Sequence, residues 1–215
     1  MLRLILLLIT VNCFGQVKTY PVIPFVELGT YIHSGFEKSI IPTINGGIEY
    51  RLMNHIRPEI GLGIMVSSTE DRFNYGSDGI LIDASQQSVL ALNLTFIPKI
   101  VIGNENDGDV LFYILPIFAR STIEAREYYL KYDPSKELSE ERFTSKKTQL
   151  SFGIGLGFVA KFSEDSKDSF NLNLYLNGVD LGKTLNELPH NSENFDTKYT
   201  LGIGLKYYFG IKNKS

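Results

Sequence analysis

The chain alternates apolar and polar residues with a period of two, in one run after another. In the last run Tyr199, Leu201, Ile203, Leu205, Tyr207 and Phe209 fall on one face, and Thr200, Gly202, Gly204, Lys206 and Tyr208 on the other. Successive side chains of an extended strand point to opposite faces, so the run is a strand with one apolar face and one small or polar face. Leu150, Phe152, Ile154, Leu156, Phe158, Ala160 and Phe162 repeat the pattern against Ser151, Gly153, Gly155, Gly157, Val159 and Lys161. A third copy sets Phe170, Leu172, Leu174 and Leu176 against Asn171, Asn173, Tyr175 and Asn177. Weaker versions upstream carry Val26/Leu28/Ile32, Ile44/Ile48/Tyr50, Ile60/Leu62/Ile64/Val66 and Leu90/Leu92/Leu94/Phe96. One more run, 109–122, is apolar on both faces and contains Pro116, so its facing is open.

The pattern predicts eight strands, at 22–34, 43–52, 57–67, 86–102, 109–122, 147–162, 168–179 and 197–210. Connections at 53–56, 103–108 and 163–167 are short and rich in turn-forming residues, whereas 35–42, 68–85, 123–146 and 180–196 are longer and polar. In an up-and-down barrel every short turn falls at one rim and every long connection at the other, the asymmetry of a transmembrane barrel. The longest apolar run beyond the N-terminus is nine residues, 111–119, too short for a spanning helix. The predicted fold is therefore all-β: an eight-stranded antiparallel up-and-down transmembrane β-barrel.

A soluble, lipocalin-like barrel with the apolar face inward has the same alternation. Two features favour the membrane version. The polar face carries Gly, Asn and Ser, whereas a water-facing surface is dense in Lys and Glu. Charges crowd the connections instead, with six acidic and six basic residues in 123–147 alone. Aromatics also mark the ends of the apolar face, with Tyr199 at one end of the last strand and Tyr207 and Phe209 at the other.

Residues 1–16, MLRLILLLITVNCFGQ, read as an export signal: Arg3, a short apolar stretch at 4–11, then Cys13-Phe14-Gly15 before a cut ahead of Gln16. Signal 1–15 and barrel domain 16–215 make up the expected organisation. The mature chain of 200 residues has net charge −4 and no cysteine, which excludes disulfides, thiolate nucleophiles and Cys-ligated zinc.

The hairpin spacing, the signal ending Phe14-Gly15-Gln16 and the last strand together resemble the small eight-stranded outer-membrane barrels of the OmpA/OmpX type. They resemble more closely the outer-membrane β-barrel domain family of Bacteroidota, which includes PorT-like barrels. Within the last strand, Gly204, Tyr207 and Phe209 look like a barrel-assembly signal, although Gly202 takes a usually polar position and 210–215 trails beyond Phe209. The resemblance implies residence in the outer membrane of a Gram-negative cell, contact with lipopolysaccharide and the barrel-assembly machinery, and a monomer.

Eight strands enclose a lumen that side chains can fill. Glu27, Glu49, Arg51, Glu59, Lys161, Asn171, Asn173, Tyr175 and Lys206 are the expected polar filling. Asn171, Asn173 and Tyr175 should face the glycine tracks of the neighbouring strands. Arg51 should oppose Glu59, with Arg51→Ala destabilising, and Glu27 should pair with Lys206 across the closing seam. The histidines are scattered, which argues against a metal, and no cofactor is implied. A Ser/His/carboxylate set could come only from His33 with Ser34, or His190 with Ser192 and Glu193. Phosphate-loop, dinucleotide and zincin motifs are missing, as is a basic stripe for nucleic acid. Tyr128, Tyr129 and Tyr132, set among charges, are the candidate contact residues for a partner. The expected role is non-enzymatic, in envelope integrity or surface binding through four long loops. The alternatives are an accessory barrel of a secretion or gliding apparatus, a lipid A-modifying enzyme, or a soluble ligand-binding barrel.

Overall fold

A computed structural model describes residues 22–53, 55–103, 111–132, 138–161, 168–191 and 194–209. The strands are β1 (Val22–Ile32), β2 (Ile40–Tyr50), β3 (Ile56–Ser68), β4 (Arg72–Tyr75), β5 (Leu81–Ile102), β6 (Phe112–Tyr132), β7 (Leu138–Lys161), β8 (Ser169–Asn177) and β9 (Thr200–Tyr208). Every pairing is antiparallel, in the order β3-β2-β1-β9-β8-β7-β6-β5-β4. A further β3–β5 ladder, Ile56↔Ile100 to Ser68↔Ser88, closes eight of these strands into a ring and leaves β4 outside it.

Inside and outside follow the period of two. Leu62, Leu150 and Leu201 are 68%, 83% and 67% exposed on the outer wall, where no core covers them. The strand-to-strand row Ile60–Phe96–Phe118–Phe152 shows how the outward apolar side chains line up around the wall. From Ile56 to Val66 a strand rises about 34 Å, and a tilt of about 40° reduces that to about 25 Å, the height of an outer-membrane apolar band. An apolar belt of that height around a closed ring is the architecture of a transmembrane barrel. The open facing of 109–122 is resolved: Leu111, Tyr113, Leu115 and Ile117 point inward and Phe112, Phe118 and Arg120 outward. That stretch is apolar on both faces because its inner side packs with Ile97, Val101 and Tyr175.

The long connections differ from expectation. Residues 123–146 are mostly strand, because β6 runs on to Tyr132 and β7 starts at Leu138, paired from Ile123↔Lys147 to Tyr132↔Leu138. Likewise 68–85 holds β4 and the first residues of β5, paired Arg72↔Ser85 and Phe73↔Ala84. Charge density alone reads as loop in both stretches. A ladder that rises out of the apolar belt has water on its outer face, so Glu124, Arg126 and Lys146 are compatible with strand there. The connection 180–196 is not a free loop either. It contains a one-turn helix, α1 (Gly182–Leu185), and packs into the barrel mouth.

Candidate functional site: the filled lumen, the cap and the raised sheet

The charged filling lies toward the rim that carries the β2–β3 connection. Glu49 and Glu59 are register partners across β2–β3, two carboxylates side by side. Lys99 of β5 reaches between them, in contact with Glu49 and 2.9 Å from Glu59. On the other side of Glu59 lies Lys206, at 2.8 Å, which also stands 3.2 Å from its cross-strand partner Glu27. Tyr208 donates to Glu59 at 2.5 Å, and Tyr175 donates to Glu27 at 2.6 Å. The lumen is thus crossed by a ladder of alternating sign: Glu49, Lys99, Glu59, Lys206, Glu27. Each buried charge has opposite charge or a hydroxyl on its free side, which offsets a desolvation cost of several kcal/mol per ion. The Lys206 ammonium also sits 4.4 Å over the Phe25 ring, and that of Lys99 lies 4.5 Å and 4.4 Å over Tyr113 and Tyr208.

The expected opposition of Arg51 and Glu59 is not what forms. Arg51 lies past the end of β2, half-exposed, with its Nε 3.6 Å from Glu49. The register puts Glu49, not Arg51, across from Glu59. Asn171, Asn173 and Tyr175 lie opposite Val159, Gly157 and Gly155 on one side and Lys206, Gly204 and Gly202 on the other. A Cβ on Gly204 would come 2.9 Å from the Tyr175 ring and into contact with the Glu27 carboxylate, so this glycine makes room for the ladder. Gly204 therefore faces the lumen, whereas Tyr207 and Phe209 meet edge to face on the outside with ring centroids 4.8 Å apart. Lys161 pairs with Ser169 through its backbone; its side chain lies outside the described residues.

Lys99, Tyr208, Arg57, Gln87 and Glu127 also fill the lumen, beyond the set that the sequence pattern picks out. Lys99 continues the inward parity of Asn93 and Thr95, and Arg57 that of Glu59, so strict parity would have found both. Above the ladder a cavity of ≈ 50 Å³ is lined by Thr43, Asn45, Asn93, Thr95 and Asn177 among others. That volume suits a few waters, not a solute path.

The other rim is closed by apolar packing. Phe36, Ile41, Met65, Val89, Ile123, Leu181, Leu185, Leu188 and Phe195 form one buried cluster across the mouth. The filling is thus apolar as well as polar, and the polar residues expected from the sequence make up only part of it. The cap carrying α1 is tied down by side chains. Thr197 accepts from the Leu181 amide at 2.6 Å and donates to Asp180 at 3.2 Å. Asn186 accepts from the Phe195 amide and donates to its carbonyl, both at 2.9 Å. Ser145 donates to Glu187 at 2.7 Å, and Lys147 pairs with the same carboxylate. Those two hydrogen bonds, Lys147 first, hold the Glu187 carboxyl below the usual range.

His33 contacts the Asp196 carbonyl at 2.9 Å and accepts from the Gly35 amide at 3.1 Å. Ser34, its candidate partner, is exposed in the turn beyond β1. His190 stacks on Tyr129 with ring centroids 3.6 Å apart, and stands 3.4 Å from Glu127, which accepts from Gln87 at 2.9 Å. Ser192 and Glu193 lie outside the described residues. Among the described residues no three or more His, Cys, Asp or Glu side chains converge as a metal site. Of the loop tyrosines, Tyr129 faces the cap, whereas Tyr128 and Tyr132 lie on the outer face of the raised β6–β7 hairpin. Arg142 sits 5.5 Å over the Tyr128 ring.

No family model matches the chain, and no curated protein does. Among solved structures it is similar to a major outer membrane protein from Thermus thermophilus, with 15% identity, a TM-score of 0.49, and coverage of 88% of this chain and 100% of that one. It is also similar to Ail, the attachment invasion locus protein of Yersinia pestis, with 12% identity, a TM-score of 0.35, and coverage of 88% and 95% respectively.

Proposed function

We propose that this chain is a non-enzymatic, monomeric outer-membrane barrel that works at the cell surface and not as a pore. The observation that carries the reading is the pairing of an outward apolar belt with a lumen filled twice over, by the charge ladder and by the apolar mouth cluster. Cleavage of 1–15 on export, and kinship with the PorT-like Bacteroidota barrels, belong to the same reading. The working surface is the sheet that β4, β5, β6 and β7 raise above the belt, together with the cap. Its outer face carries Tyr128, Tyr132, Leu138 and Ile82, with Tyr132 directly opposite Leu138. A protein partner in the envelope, including a secretion or gliding apparatus, is the class of contact such a platform suits.

The test has two arms. An epitope inserted between Tyr132 and Leu138 should be labelled by antibody on intact cells, and the purified barrel in planar bilayers should conduct no steady current. An epitope reachable only after lysis, or a steady open channel, would contradict the reading.

A further inference from the structure

One position breaks the outer belt. Arg120 of β6 is exposed, with Leu94 of β5 and Leu150 of β7 directly opposite it on either side. It stands one row above Phe96, Phe118 and Phe152, toward the rim that bears the cap. Below it the wall opens into an apolar groove of ≈ 430 Å³, lined by Ile60, Leu94, Phe96, Phe118 and Leu150, with Arg120 at its upper end.

A cation among lipid-facing residues costs free energy unless its head reaches the headgroup level and finds an anion there. Arginine reaches that level by laying its stem along the apolar wall. Among the described residues no carboxylate forms an ion pair with Arg120. Glu124, the next outward acid along β6, is already held by Arg126 at 2.6 Å and Lys146 at 3.8 Å. Between the levels of Arg120 and Arg126 the outward positions of β5, β6 and β7 therefore carry three cations against one carboxylate, an electropositive patch over an apolar groove. A guanidinium presents paired donors that match phosphate oxygens, and the groove beneath matches a hydrocarbon chain.

We propose that this groove seats an acyl chain of a phosphate-bearing outer-leaflet glycolipid, with the phosphate on the Arg120 guanidinium. The proposal rests on the outer-membrane reading above and gives the lipopolysaccharide contact expected from the sequence a defined seat on the wall.

The full chain, purified in detergent, is incubated with bisphosphorylated lipid A, with the same lipid after enzymatic dephosphorylation, or with the phosphorylated lipid in competition with inorganic phosphate, and bound species are counted by native mass spectrometry. Wild type should retain the phosphorylated lipid, and either dephosphorylation or Arg120→Gln should lower retention roughly tenfold. Leu94→Trp, which fills the groove, should lower retention of both lipids. Lys198→Gln, a cation lost from the same rim between β8 and β9, should change nothing. Equal retention by Arg120→Gln and wild type, or of both lipids by wild type, overturns the phosphate contact. Inorganic phosphate that displaces the lipid at equal concentration overturns the acyl-chain part. Each sample is also run unheated and boiled on an SDS gel. Loss of lipid selectivity with the heat shift intact refutes the groove alone, whereas a wild type without a heat shift refutes the membrane barrel beneath it.

Discussion

Lys206→Met removes the central cation of the ladder while keeping a side chain of similar length. Lys206 is 1% exposed and contacts Glu59 at 2.8 Å and Glu27 at 3.2 Å. After its loss Glu59 keeps Lys99 at 2.9 Å and the Tyr208 hydroxyl, but Glu27 keeps only the Tyr175 hydroxyl at 2.6 Å. The penalty should therefore fall on Glu27, whose charge would be buried without a cation. Breaking a buried pair from one side costs about 3–5 kcal/mol. With a urea slope of about 1–3 kcal/mol per molar, the unfolding midpoint should drop by at least about 1 M. The chain has no tryptophan, so unfolding in micelles is followed by far-UV circular dichroism and by the gel heat shift. Adding Glu27→Gln to Lys206→Met should recover much of the loss, because the stranded charge is gone. A midpoint unchanged by Lys206→Met would show that the ladder does not hold the barrel, as would a double variant weaker than the single by the full cost of a second deletion.

The other expectations are smaller or more local. Arg51→Ala should cost under about 1 kcal/mol, since a half-exposed pair at 3.6 Å is screened by water; the same urea titration checks this. Leu185→Ala removes a side chain that is 0% exposed in the mouth cluster and should destabilise the cap by about 2–5 kcal/mol. Hydrogen exchange should then speed up in 178–191 while the gel heat shift persists. The Glu187 tie favours the ionised carboxylate, so its contribution is complete above the ordinary glutamate pKa of 4.5 and is lost as pH falls through the lowered folded value. Cap exchange protection should drop over that acidic window in wild type and stay flat in Glu187→Gln.

The barrel wall was legible because a strand in a membrane wall has one simple rule: apolar out, small or polar in. Where both faces are apolar, as at 112–118, parity gives no answer, and only packing against Ile97, Val101 and Tyr175 shows which side is inner. The raised hairpins were hidden by charge. Glu124, Arg126 and Lys146 read as loop residues until the ladder shows them on a water-facing wall. The cap was hidden by its polar neighbours, although Leu181, Leu185, Leu188 and Phe195 recur at spacings that would bury one side of a folded segment. Within the lumen, Glu27 and Lys206 could be matched because they close the seam between the first and last strands. Parity places Lys99 inward, but its contact with both Glu49 and Glu59 shows only in the β3–β5 register, which sets Lys99 across from Arg57, two residues from Glu59.

The lumen, the cap and the groove all depend on a closed barrel whose apolar face meets lipid. Membrane fractionation of expressing cells, followed by SDS gel mobility of unheated and boiled samples, tests it most directly. Such a protein should be found in the outer-membrane fraction and migrate differently before and after boiling, because a closed barrel resists SDS in the cold. A protein in the soluble fraction with a single, heat-independent band would contradict it.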